Sequence, residues 1–323
     1  MINYIFRRLL QAFFTLLVIS VVIFGLVNSV PGGYMSVFQE NENLTAEDMA
    51  RLREKFGADD PVSVRYVKWL GNFVQGDWGD SFVSKRPALQ EIGDRLGNTL
   101  ILTVTSLLVT LLVAIPLGIL AALKKYSIFD HIATTLAFAG QSLPVFWFGL
   151  LLIIVFSVTL QTADGKPFLP GSGMVTPGED FSLGDLLRHM VLPVTMLSLV
   201  MAAGYMRYMR SSMLEVINQD YVRTARAKGL NNNRVIIKHA LRNALIPIVT
   251  LIALDIPFLF SGALFTETIF SWPGIGRLFL TSAGKTDYPV LMAILMIAST
   301  LTVLSSLLVD VIYTFLDPRI SYS

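Results

Sequence analysis

The side chains able to do chemistry in this chain are few, and their spacing excludes most of what they could do. There is no cysteine, so disulfides, thiolate catalysis, iron–sulfur clusters and cysteine zinc sites are all excluded. The three histidines, His131, His189 and His239, are far apart, form no H-E-x-x-H pair and read as interfacial or packing residues. Gly284-Lys285-Thr286 has the ending of a phosphate-binding loop, but that loop needs a glycine where Phe279 stands. The chain is not expected to bind nucleotide, cofactor or metal itself. Asp255 is the one ionisable residue deep in an apolar run. A charge there is costly in a bilayer, so it must face a bundle interior or a partner subunit. It reads either as a polar contact or gate in a translocation path, or as a protonated or hydrogen-bonded structural acid. Gln141-Ser142-Leu143-Pro144-Val145-Phe146-Trp147 interrupts another apolar run. Gln141 and Ser142 are candidates to line the same path, while Phe146 and Trp147 read as packing residues.

The second candidate is a surface. Residues 207–242 carry eight Lys/Arg against two acids, Glu215 and Asp220, between two apolar stretches. A helix continues to about Ile217 and is broken by Asn218-Gln219-Asp220. Asp220 is expected to cap a short helix over 221–228, with Arg226 and Lys228 in its last turn and Gly229 just past its end. Asn233 is expected to cap the next helix, which bends at Pro247. The small residues Ala225 and Ala227 and the ring of Tyr221 suit close packing into a partner groove, and the arginines supply bidentate contacts. A basic surface anchored to anionic lipid is the plainer reading. Lipid needs charge but no rigid short helix, which favours a partner.

Composition fixes the setting. Hydrophobic residues are 54% of the 323 and charged residues 15%, with mean hydropathy +0.63. That is an all-α integral membrane protein. The net charge of +2 gives no field for nucleic acid. Six charge-poor runs, 9–30, 98–123, 132–160, 190–206, 243–266 and 288–309, predict six transmembrane helices. The fourth is expected to begin earlier, near Asp185, and Pro257 to kink the fifth. The first follows Arg7 and Arg8, yet it is too long for a signal-peptide core and ends at Pro31-Gly32-Gly33, so a retained helix is expected. Segments 1–8, 124–131, 207–242 and 310–323 hold thirteen Lys/Arg against five acids; the opposite side holds twelve against seventeen. Both termini are therefore expected in the cytoplasm. Asp310 is expected to pair with nearby basic side chains.

The outer loop 31–97 is patterned. Thr45 starts a helix with Met49, Leu52 and Phe56 as one stripe, and Gly57 stops it. A second helix is expected over 62–74, with Val62, Tyr66, Trp69 and Phe73 on one face. The pair reads as a structural lid or as a docking surface for an external partner. Residues 161–188 read as irregular outer surface. Residues 265–288 turn at Trp272-Pro273-Gly274-Ile275-Gly276 and are too short to span, so a lipid-interface or re-entrant segment is expected.

One stretch is not generic. Asp220-Tyr221-Val222-Arg223-Thr224-Ala225-Arg226-Ala227-Lys228-Gly229-Leu230, followed by His239-Ala240-Leu241-Arg242-Asn243-Ala244-Leu245-Ile246-Pro247, closely resembles the cytoplasmic loop of ABC-transporter permeases of the dipeptide/oligopeptide/nickel branch. Pro31-Gly32-Gly33, Glu267-Thr268-Ile269-Phe270, Pro273-Gly274-Ile275-Gly276, Asp287-Tyr288-Pro289 and Asp317-Pro318-Arg319 resemble the same branch, and the long outer loop resembles the first of its two paired permeases. The chain departs from the general pattern, with Arg223, Thr224 and Ala225 where that loop has Glu-Ala-Ala.

The resemblance implies a type I ABC importer permease-like fold in a bacterial inner membrane. Its parts would be an N-terminal helix (1–30), an extracytoplasmic loop domain (31–97), a permease core (98–314, with coupling loop 207–242) and a cytoplasmic tail (315–323). It implies a homologous second permease, two ATPase subunits that hold the ATP and Mg, and an extracytoplasmic peptide-binding protein. Asp220, Tyr221, Arg223, Thr224, Ala225, Arg226, Lys228 and Gly229 would form the ATPase-coupling helix. Nickel, glutathione or another small solute is the alternative cargo within the family. An ion-coupled secondary carrier using Asp255, and a scaffold that recruits a partner without transport, are alternatives of other classes.

Overall fold

The computed structural model describes residues 2–30, 38 and 45–316. Pro31-Gly32-Gly33 and Asp317-Pro318-Arg319 lie outside the described residues, as do the side chains of Leu52, Phe56 and Asp310. The architecture is helical; among the described residues the β pairing is two isolated bridges, Asp80 with Pro87 and Gln161 with Pro167. Five helices are long and apolar enough to cross a membrane, or six if one bent pair counts as a single span.

α1 (Ile2–Ser29) is followed by the pair α2 (Ala46–Phe56) and α3 (Val62–Val74). The Thr45 hydroxyl accepts the Asp48 N–H while the Asp48 carboxylate accepts the Thr45 N–H and O–H, so a capping box starts α2. Those donors hold the Asp48 carboxyl below its ordinary range. Gly57 closes α2 in the left-handed conformation at φ 58. Tyr66, Trp69 and Phe73 of α3 pack against the Phe24 end of α1, and the Ser20 hydroxyl sits 2.8 Å from the Tyr66 hydroxyl. Val62 is exposed and is not part of that face.

α4 (Ala88–Leu123) begins ten residues before the apolar run does. It packs along α7 (Leu183–Ile217). Ala114, Gly118, Ala121 and Ala122 make a small-residue stripe there, opposite Met206, Met209 and Met213. A Cβ on Gly118 would stand 2.7 Å from Met209 Cβ and 2.8 Å from the Met206 carbonyl, so the close approach requires glycine. α7 starts with Ser182 accepting the Asp185 N–H and runs unbroken beyond its apolar stretch to Ile217.

The expected third span is not one straight helix. α5 (Ile128–Ser142) and α6 (Val145–Ile153, continued by a wider π-type turn to Thr159) are bent by 98°. Leu143 is extended, at ψ 132, because Pro144 follows it and disfavours the helical region for the residue before it. Phe146 and Trp147, expected to pack, are instead exposed on the outside of the chain.

After the short α8 (Asp220–Ala227) the chain climbs back through helical turns from Asn232 to Ala244, including a π-type stretch Val235–Leu241, and breaks at Leu245. α9 (Ile246–Ser261) then carries Pro247 in its first turn, where a missing N–H costs nothing. Pro257 lies inside α9 without ending it. α10 (Leu264–Ile269) and α11 (Ile275–Gly284) flank the Trp272-Pro273-Gly274 turn, and α12 (Tyr288–Leu316) completes the bundle. Of the two expectations for this segment, a lipid-interface or a re-entrant stretch, the structure has short helices turned back and packed into the bundle, with Phe270 and Trp272 almost wholly buried. The Trp272 indole N–H donates to the Asn98 carbonyl at 2.8 Å, and the Asn98 amide donates to the Pro273 carbonyl at 3.0 Å.

Candidate functional site

α8 projects beyond α7 and is tied down on one side. The helix begins one residue earlier than expected, and Asp220 is its first residue rather than its cap. The cap position is Gln219, whose backbone carbonyl takes the Val222 and Arg223 N–H groups at 3.0 and 3.1 Å, so no side-chain acceptor is required. Asp220 still sits where a negative charge meets the helix dipole. Past the end, Gly229 adopts φ 75 and donates its N–H to the Arg226 carbonyl. Nothing crowds a Cβ at Gly229, so its requirement is conformational. The next turn is capped by Asn231, which accepts the Asn233 N–H; the expected cap, Asn233, is already inside it.

The two faces of α8 differ in kind. Val222 and Ala225 are buried against Val235, Val216 and Leu230 of this same chain. Ala225 was expected to admit a partner; it faces inward, and Ala227 is the small residue left on the outside. Tyr221 is partly engaged too, its hydroxyl accepting the Asn243 amide at 2.8 Å. Asp220, Arg223, Thr224, Arg226, Ala227 and Lys228 are exposed. The Arg223–Asp220 pair, 3.7 Å apart and open to solvent, contributes little to stability.

Behind this surface is a pairing that the sequence reading missed. Arg210 on α7 donates from Nε to Asp130 Oδ1 at 2.6 Å and from a terminal nitrogen to Oδ2 at 2.7 Å. Asp130, nearly buried at the start of α5, also accepts the Tyr126 N–H and the Thr134 hydroxyl. The pair fixes the turn between α4 and α5 to the polar extension of α7 that leads into α8. Its signal was a lone acid among basic neighbours at a helix start, with Ser127 accepting the Asp130 N–H.

In the membrane-spanning part, Gln141 and Asp255 line one cavity of about 450 Å3, together with Gly204, Tyr205, Tyr208 and Thr266. The Tyr205 hydroxyl donates to Asp255 Oδ2 at 2.6 Å. Gly204 leaves room for the Gln141 amide, which would be 3.8 Å from a Cβ there. Ser142 is not part of this lining; its hydroxyl donates back to the Phe138 carbonyl at 2.9 Å.

Two further motifs have structural work that explains their residue types. Glu267, wholly buried, accepts the Thr99 hydroxyl and the Arg277 N–H, both at 3.0 Å. Gly262, Gly274 and Gly276 close around it, leaving no space for a Cβ. Asp287, at the start of α12, accepts the Ser81 hydroxyl at 2.5 Å and the Phe82 N–H at 2.8 Å, clamping the loop between α3 and α4. Of the three histidines, His189 is buried between the Gly173 carbonyl and Thr176.

A helical bundle with a broken span, an acid-bearing cavity among its apolar helices and a polar projecting helix is the architecture of a polytopic membrane protein. Comparison with known proteins then identifies which. Residues 114–322 match the family model described as binding-protein-dependent transport system inner membrane component, and residues 1–103 match that of the N-terminal membrane component of the same systems. The oligopeptide transport system permease protein AppB of Bacillus subtilis is 43% identical over 323 residues, covering 100% of both chains. The dipeptide transport system permease protein DppB of Escherichia coli is 40% identical over 337 residues, covering 100% of this chain and 99% of its own. The glutathione transport system permease protein GsiC of Salmonella paratyphi A is 38% identical over 322 residues and covers 100% of both. The chain belongs to the family of inner membrane permease components of binding-protein-dependent transport systems.

Proposed function

We propose that this permease subunit carries di- and oligopeptides, as the names of its relatives AppB and DppB say of those proteins. It would form half of a pathway completed by a homologous permease, with both termini in the cytoplasm, a peptide-binding protein on the outer side and two ATPase subunits on the inner. The observation that carries the coupling role is the division of α8 into an anchored and a free face. Val222 and Ala225 are locked into this chain while Asp220, Arg223, Thr224, Ala227 and Lys228 are presented outward. A helix fixed to α7 on one side and free on the other transmits a push as rigid-body motion.

The test is ATP-dependent peptide uptake by vesicles holding this chain with its partner permease, ATPases and binding protein. Arg223→Glu and Thr224→Arg alter only the free face. Loss of uptake and of ATPase co-purification in these variants, with the protein still folded, is the expected result. Uptake that needs no ATPase and follows an ion gradient would overturn the reading in favour of a secondary carrier.

A further inference from the structure

We infer that Asp255 is the recognition point for the substrate's ammonium group within the pathway, and that peptide cargo is selected there by its free amino terminus. The inference rests on the peptide reading above and names the chemistry of the cavity shared by Gln141 and Asp255.

The cavity wall is mostly apolar, built from residues such as Leu197, Leu251 and Phe258. Among the described residues Asp255 is its only charged lining group, and no lysine or arginine faces it. An acid in such a place attracts a cation and repels a carboxylate, because apolar walls screen a charge poorly. Tyr205 donates to one carboxylate oxygen, Oδ2, which fixes the orientation of the group. The other oxygen, Oδ1, has no hydrogen-bond partner among the described residues. One acceptor oxygen is thus left open on a residue that lines the cavity, and no lysine or arginine is among the lining residues.

The cargo feature that meets this site is the one peptides share whatever their side chains. Each unmodified peptide carries an α-ammonium, and Gln141 offers an amide for the backbone beside it. Recognition by a single charge and a single amide ignores side-chain identity. It is also weak, which suits a site that must release what it binds as the pathway turns over.

The experiment uses the assembled complex in proteoliposomes, with trialanine and N-acetyl-trialanine each presented on the same loaded binding protein. That protein is common to every arm, so its own preference divides out when variants are compared with wild type. Asp255→Asn, which can still accept from Tyr205, is expected to cut trialanine uptake at least ten-fold and to leave N-acetyl-trialanine within two-fold. Asp255→Glu should keep the preference. Leu251→Lys, one helical turn away on the same wall, places a cation beside the carboxylate and should abolish it. Tyr205→Phe leaves the charge and should keep most of the preference. Equal loss of both peptides in Asp255→Asn, or an unchanged preference in Leu251→Lys, overturns the inference while peptide uptake by the wild type still stands. Failure of the wild-type complex to take up either peptide overturns the peptide reading itself.

Discussion

Asp130→Ala should be among the most damaging single changes at the end of the bundle that carries α8. The substitution removes the acceptor for two Arg210 bonds, at 2.6 and 2.7 Å, and for the Tyr126 N–H at 2.9 Å. It leaves a guanidinium facing a space built for a carboxylate. Breaking a buried ion pair from one side costs about 3–5 kcal/mol. The Arg210 side chain is 24% exposed and Asp130 3%, so water reaches one partner and the loss falls to about 2–3 kcal/mol. Arg210→Ala leaves Asp130 with its Tyr126 and Thr134 donors and should cost less. Removing both strands neither charge, so the double variant should be more stable than the sum of the single losses by about 1–2 kcal/mol. The measurement is a double-mutant cycle on reversible unfolding of the purified protein in mixed micelles. Additivity within about 0.5 kcal/mol would refute the pairing as a stabilising unit. Uptake provides the functional half. Arg210 lies two helical turns before Ile217, where α7 hands over to α8, so the Asp130 variant should take up less substrate per ATP hydrolysed.

Three other outcomes follow from the packing. Gly276→Ala sets a Cβ 2.7 Å from the Leu264 Cα and 2.8 Å from its backbone nitrogen, so main chain must move; a loss of about 3 kcal/mol is expected, read as a fall in thermal midpoint. Ala225→Glu buries a charge against Val222 and Val235 and should unfold the loop, whereas Ala227→Glu should change stability by under about 0.5 kcal/mol yet weaken ATPase retention; thermal midpoint and co-purification separate the two. Ser81→Ala removes the 2.5 Å bond to Asp287 and should cost about 1 kcal/mol, seen as faster proteolysis within residues 77–87.

What was legible in the sequence was what local chemistry decides. The helix start at Thr45, the stop at Gly57, the extent of Val62–Val74 and the run of α7 to Ile217 depend on residues within a turn or two of each other. The same local logic misplaced the α8 cap: a carboxylate is the better capping group in isolation, but the Gln219 carbonyl already served the two N–H groups concerned. Direction was out of reach. Whether Ala225 or Ala227 faces outward depends on where Val235 lies, after a turn and a π-type stretch that no periodicity announces. The 98° bend was legible as a disruption at Pro144 but not as an angle. Of the proposed pathway residues, Gln141 and Asp255 meet in one cavity and Ser142, next in sequence to Gln141, does not, because one residue along a helix is a rotation of about 100°.

The acids of the bundle separate into two kinds, and the separation is an argument about Asp255. Glu267, Asp287 and Asp130 are each almost wholly buried, and each accepts at least two hydrogen bonds from a segment distant in sequence or from its own turn. Their desolvation is offset by donors in place before any ligand arrives, as a structural acid requires. Asp255 accepts one, from Tyr205, and is only partly buried at the wall of a cavity. If it were a structural acid too, the fold would have supplied the second donor that it supplies to each of the others. A carboxylate left half-satisfied in an apolar cavity raises the energy of the empty pathway, and a visiting cation lowers it again. The cost of that incomplete shell falls on the resting state and is recovered on binding, which is how a transport site can favour its cargo without holding it.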